Sequence, residues 1–190
     1  MKALILNALK REQSSIEHIY KILANELKDR GWKSETFMLQ DIDISSCKGC
    51  FGCWTVTPGI CVNEDESSQI IAKFIHSDLI ISLTKVTFGG YSSELKKVFD
   101  RTIPILSPFF MKAGNETRHK PRYKKYPNLA TIGVMIHPDD ESEYIFKTLA
   151  KRIALHFHAP QQGTLIIFSG QSKEKIHEKI KTLLRTIGGE

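Results

Sequence analysis

The sequence predicts an α/β fold, a doubly wound parallel sheet of five strands with helices on both faces, on three observations. Short apolar runs alternate with longer segments of helical period along the chain. Each of five such runs leads into a helical segment, the order that parallel sheets require. The third run, DLIISLT (78 to 84), is β-branched and uncharged after its first residue, as suits a strand covered on both faces.

Taken in order, KALILN (2 to 7) is the first strand, followed by a polar loop. SIEHIYKILANELKDRG (15 to 31) is an amphipathic helix: Ile16, Ile19, Ile22, Leu23 and Leu27 recur at spacings of three and four, and Gly31 is a natural stop. KSETFML (33 to 39) is the second strand. A cysteine-rich loop and a helix over 65 to 76 lead to the third strand, and the loop KVTFGGY leads to a helix over 92 to 101. NLATIGVMI (128 to 136) is the fourth strand and DDESEYIFKTLAKRIALHFH a long helix. GTLIIFS (163 to 169) is the fifth strand, and SKEKIHEKIKTLLRTI is the closing helix.

At 190 residues, 41% of them hydrophobic, the chain is expected to form one domain over 1 to 190 with its own core. The net charge of +6 attracts anionic small molecules such as nucleotides. No apolar run approaches the ~18 residues of a membrane span. The opening MKALILNALK runs into KREQ rather than a small-residue cleavage site, so it is read as a buried strand and not a leader. A cytoplasmic protein is expected, where clustered cysteines favour metal binding or free thiols over disulfides.

Ligands of doubly wound sheets bind beyond the carboxyl ends of the strands, at the switch in strand order. That rule points to loops 8 to 14, 85 to 91 and 137 to 140, with the cysteine loop at the same rim. In NALKREQSS, a helix start with Ser14, Ser15 and Lys10 suits a phosphate, although Ser14 serves equally as a helix cap. TKVTFGGYSSELKKVFDR (84 to 101) resembles the flavin-contacting segment of the NAD(P)H-dependent FMN reductase family through Thr84, Phe88, Gly89, Gly90, Lys96, Asp100 and Arg101. The first loop has the length of that family's phosphate loop.

The resemblance implies a flavodoxin-like sheet of order 2-1-3-4-5, bound FMN, and NAD(P)H as electron donor. It assigns the flavin's tail to Lys10, Ser14, Ser15 and Ile16. The ring falls to Thr84, Lys85, Val86, Thr87, Phe88, Gly89 and Tyr91. The chain departs from the family at Asn7-Ala8, where Gly-Ser is usual, and at Lys85 and Thr87, which replace Pro and Tyr. In the third loop, IHPDDES, Asp139, Asp140 and Glu141 would repel a phosphate and instead suit a helix start. His137 is read as a solvated loop residue.

All four cysteines lie in CKGCFGCWTVTPGIC, with the spacing C-x2-C-x2-C-x7-C: Cys47, Cys50, Cys53 and Cys61. The first three repeat the rhythm of ferredoxin cluster loops, with Gly49 and Gly52 relieving the turns. The pattern resembles that of iron–sulfur flavoproteins, which implies a [4Fe–4S] cluster beside FMN. It equally resembles relatives in which the loop packs near the flavin, with Phe51 and Trp54 as apolar anchors. Free thiols, a [4Fe–4S] cluster, zinc and a redox disulfide all stand open at this point.

The basic run RHKPRYKKY (118 to 126) is read as a solvated insert, then as a site for a nucleotide phosphate or a partner subunit, with nucleic acid third. Ile105, Leu106, Phe109 and Phe110, in IPILSPFFMKAG, are candidate core or dimer-contact residues. The seven histidines are scattered and form no nucleophilic constellation. The expected function is an FMN-dependent NAD(P)H oxidoreductase. Its acceptor is a quinone, nitro compound, flavin or protein, no catalytic side chain is required, and the protein is expected to be a homodimer or higher homo-oligomer. The alternatives are an FMN and [4Fe–4S] electron carrier, and a non-catalytic module that has lost FMN.

Overall fold

The computed structural model describes residues 1–9 and 14–188 of the chain. Its centre is a five-stranded parallel sheet built from β1 (Lys2–Asn7), β2 (Lys33–Met38), β3 (Leu79–Lys85), β6 (Asn128–Met135) and β7 (Gln162–Phe168). The strands lie in the order β2-β1-β3-β6-β7, the expected 2-1-3-4-5 counted over parallel strands. β1 and β3 are buried almost throughout, because helices cover both faces.

On one face, α1 (Ser14–Asp29) and α6 (Lys173–Ile187) pack Ile19, Leu23, Ile176 and Ile180 onto Ile5, Ile81 and Ile132. On the other, α3 (Ser67–Ile75), α4 (Ser93–Arg101) and the end of α5 (Asp140–His156) pack Phe74, Leu95, Phe99 and Ala154 onto Leu4, Leu6 and Ile80. Alternate residues of one strand thus feed two cores, as the two-residue period of a strand dictates.

The hairpin of β4 (Leu106–Ala113) and β5 (Glu116–Pro121), antiparallel and outside the main sheet, is absent from the sequence reading. The apolar run and the basic run, taken separately there, are its two strands. Gly114 turns it at φ +61, and Pro108 sits at a register shift, where a missing N–H costs no ladder bond. A two-stranded ribbon is weak alone. This one is tied down by histidines: the His119 imidazole contacts the Ser107 carbonyl through Nδ1 at 2.9 Å, and His158 Nε2 lies 2.8 Å from the His119 carbonyl.

The basic run is also less solvated than its composition implies. Tyr126 is buried; its hydroxyl donates to the Ile105 carbonyl at 2.7 Å and accepts from the Arg122 amide at 2.8 Å. That one phenol closes the segment between the hairpin and β6. Replacing Tyr126 by Phe is expected to lower stability by about 1–3 kcal/mol, because a buried carbonyl and amide lose their partner. Urea denaturation of the two proteins measures the difference.

Candidate functional site

The rim beyond the carboxyl ends of β1, β3 and β6 is assembled by three loops. At the first, Asn7 is buried. Its Oδ1 accepts from the Leu9 amide at 3.0 Å, and its Nδ2 lies 3.4 Å from the Met38 sulfur. The Ala8 amide donates to the Leu83 carbonyl at 2.8 Å. Asn7 therefore bends the loop as it leaves the strand, a role that its departure from the family's usual Gly-Ser does not by itself announce. Lys10 and the side chains of Ser14, Ser15 and Ile16 lie outside the described residues; α1 begins at Ser14.

The second loop follows β3. Thr84 is fully buried and fastens the loop to itself: its Oγ1 accepts from the Ser92 amide and donates to the Lys85 carbonyl, both at 3.0 Å. The Val86 amide carries the sheet ladder one step further, to the Val134 carbonyl. Thr87 and Gly90 then exchange both of their hydrogen bonds around Phe88 and Gly89, which have φ of +49 and +73. Positive φ at both central residues marks a type I′ turn. Gly89 has a second constraint, since a Cβ there would lie 2.7 Å from the Ile145 side chain.

The tip is consequently rigid, with the Phe88 ring 97% exposed. Among the described residues the Phe88 and Gly89 amides donate to no acceptor. Tyr91 turns the other way: its ring packs edge-on against Phe99 and Phe146, and its buried hydroxyl meets no partner among the described residues. Burial pushes the phenol well above its ordinary value. At the third loop Ile136 and His137 are exposed, and Asp139 caps α5 by accepting from the Glu141 amide at 3.2 Å and the Ser142 hydroxyl at 2.6 Å. The acidic residues of this loop start the helix, as expected from their sequence.

The cysteine loop is closed at its neck by Asp65. Its carboxylate accepts from the Ser45 amide, from the amide and hydroxyl of Ser67, and pairs with Arg101 at 3.0 Å. Arg101 is 2% exposed and also binds the Asn63 carbonyl and the Ser67 hydroxyl. Burial opposes the charge on Asp65. The hydrogen bonds from Ser67 and Ser45 and the Arg101 charge outweigh it and hold the carboxyl below the usual range.

Inside the loop a short helix, α2 (Gly52–Thr55), starts from Phe51 in the left-handed conformation. Phe51 stacks on Trp54, whose Nε1 donates to the Ile103 and Leu106 carbonyls. Trp54 is an anchor as expected, whereas Phe51 remains half exposed. The four thiols are free. Cys53 is buried, Cys50 is exposed, and Cys47 and Cys61 lie between. Burial, then the neighbouring Cys61, pushes the Cys53 thiol up. Among the described residues no three metal-ligating side chains converge on one point.

Between this loop, α4 and the end of α5 lies a cleft of about 350 Å³. Phe51, Trp54, Phe99 and Phe157 wall it, and the imidazoles of His119 and His156 edge it. These histidines looked scattered in sequence. They meet because an unrecognised hairpin carries one to the helix that carries the other, a pairing no local pattern announces.

Compared with known proteins, residues 1–125 match the family model described as NADPH-dependent FMN reductase. An iron-sulfur flavoprotein of Archaeoglobus fulgidus is 28% identical over 102 residues, 54% of this chain and 49% of that protein. The chain thus spans about half the length of the curated relatives it matches. Among solved structures, an NAD(P)H:quinone oxidoreductase from Methanothermobacter marburgensis superposes with a TM-score of 0.74 at 11% identity, over 100% of this chain and 98% of that one. An FMN-dependent NADH-azoreductase from Bacillus anthracis in complex with FMN gives 0.64 at 16% identity, over 96% and 95%. These neighbours establish the fold as that of flavodoxin-like reductases.

Two outcomes test this geometry. Asp65→Asn is expected to cost about 3 kcal/mol or more at neutral pH, because Arg101 becomes a buried, unpaired charge. A carboxyl with a depressed folded pKa stabilises above its unfolded value and ceases to as pH falls through the folded one. The difference between wild type and variant should therefore shrink in acid, below about pH 4. Gly89→Ala, forced to a positive φ and against Ile145, is expected to lower stability by about 1–3 kcal/mol. Urea melts across pH measure the first, and a melt at neutral pH the second.

Proposed function

The chain belongs to the NADPH-dependent FMN reductase family, and on that premise we propose that it is an FMN-dependent NAD(P)H oxidoreductase. The observation that carries the proposal is the turn after β3. Two backbone amides with no acceptor among the described residues stand on a tip made rigid by Thr84 and Gly89. They lie at the switch point between β1 and β3. Such amides fit the polar edge of a flavin ring, and the exposed Phe88 offers an apolar surface beside them.

The start of α1 at Ser14, directly after the first loop, suits the phosphate through its unpaired amides and dipole. Lys10, Ser14, Ser15 and Ile16 are the residues proposed to hold the tail. When bound, FMN would supply the redox chemistry between a nicotinamide donor and an acceptor. The chain's own residues bind and orient. No side chain is required to move a proton: Tyr91 keeps its hydroxyl inside, and Asp139 is committed to capping α5.

For the acceptor we propose a quinone, nitro compound, flavin or protein. The same reading carries a single domain over 1 to 190, a cytoplasmic location and a homodimer or higher homo-oligomer. A second reading, an electron carrier with [4Fe–4S] at Cys47, Cys50, Cys53 and Cys61, draws on the cysteine spacing and on the iron-sulfur flavoproteins among the relatives. Among the described residues the loop as folded brings no three of these ligands to one point, so the FMN reading stands first.

The test is a titration of the purified protein with FMN, followed by quenching of flavin fluorescence. Saturable binding is expected, and the Ser14→Ala, Ser15→Ala double variant should weaken it about tenfold or more. A protein that takes up no FMN sinks the proposal and leaves a non-catalytic module. Iron and sulfide bound to anaerobically purified protein would favour the second reading instead.

A further inference from the structure

We infer that the outer stripe of α5, continued by the outer face of the hairpin, is a two-fold interface with a second copy of this chain. This names the surface for the homo-oligomer proposed above and rests on that reading. The stripe is continuous by contact. It begins at the Phe88–Gly89 turn, where Gly89 abuts Ile145. It passes Leu149 one turn on and reaches Arg152, which pairs with Glu116 of the hairpin. Beyond that, the His156 ring meets His119, whose ring lies tilted 4.5 Å from that of Phe110.

Exposed apolar groups follow this path and cluster on it. Tyr144 is 72% exposed, Ile145 and Leu149 are each more than a third exposed, and Phe109 and Phe110 are exposed on the hairpin. A contiguous apolar strip of this kind on a soluble protein marks an interaction surface.

Charge selects the occupant. The first turn of α5 is acidic, with Asp140, Glu141 and Glu143. Its far end is basic, with Lys151 and Arg152, and Arg152 lies beside Arg118 of the hairpin. Glu116 is shared by the Arg118 and Arg152 guanidiniums, which leaves one positive charge over. Ile145 and Leu149 lie about midway between the two ends. Two such helices packed antiparallel about a two-fold axis set Ile145 of one copy against Leu149 of the other. The same rotation brings Glu141 of each copy to Arg152 of the other. An asymmetric partner would need to reproduce this gradient by coincidence, whereas a second copy supplies it by symmetry. The Phe88 tip then lies at the edge of the seam.

Sedimentation equilibrium of the full chain tests the assignment. Wild type is expected to be dimeric at micromolar concentration. Leu149→Glu, on an exposed position, should keep its circular dichroism and urea midpoint while weakening association about a hundredfold or more. Glu141→Arg and Arg152→Glu should each weaken association, and combining them should restore it. A wild type that is monomeric throughout overturns both this surface and the homo-oligomer reading. A dimer that survives Leu149→Glu, or charge variants that fail to rescue one another, overturns this surface alone. FMN uptake, measured separately, bears on neither outcome.

Discussion

The side of the molecule that carries the cysteines is organised by the need to neutralise one buried guanidinium. Arg101 ends α4 with almost no access to water, and a charge so placed must find a counter-charge and acceptors. It finds them in Asp65, Asn63 and Ser67, all from the chain that enters α3. Asp65 in turn reaches Ser45, at the other end of the cysteine loop. One residue on a neighbouring helix therefore fixes where the loop departs, where it returns and where the next helix begins. The interior of the loop has its own anchor in Trp54, clamped between two carbonyls after α4. The loop is held at both ends and at its middle, and only its tips are free to present thiols.

The rim obeys the same economy on a smaller scale. A parallel sheet delivers three loops to one edge, but delivery alone does not create a site. Thr84 hydrogen-bonds the exit of its loop to the entrance, Gly89 admits a backbone that other residues resist, and Asn7 turns the first loop. Each is buried or sterically confined. The groups left facing outward are backbone amides and one aromatic ring, which suit the flat heterocycle proposed above without chemistry of their own.

Sequence carried the central sheet and its helices because their signals are local. Apolar runs such as Leu79 to Leu83, broken only by Ser82, and the three-four spacing of Ile19, Leu23 and Leu27 read the same in isolation as in the fold. The glycine-bearing turn after the third strand was legible for the same reason. The hairpin was not. Its strands lack alternation, Phe109, Phe110 and Met111 running together on one and charges filling the other, and its bulge at Pro108 reads as a break. Tyr126 was counted with a solvated charge run, although its burial depends on a carbonyl twenty-one residues earlier. The meeting of His119 with His156 likewise follows from where β5 lies, not from any spacing. The Asp65–Arg101 pair joins two segments that gave no joint signal. Long-range polar contacts are what the sequence withheld.

The narrow neck at Ser45 and Asp65 makes the cysteine segment a cassette. Its two ends already meet, so the entropy of closing it depends only weakly on how many residues lie between. Chain of different length or ligand chemistry could occupy that place while the register of β3 and the rim turn stayed as they are. Such an architecture lets one flavodoxin-like frame vary this segment without refolding its core.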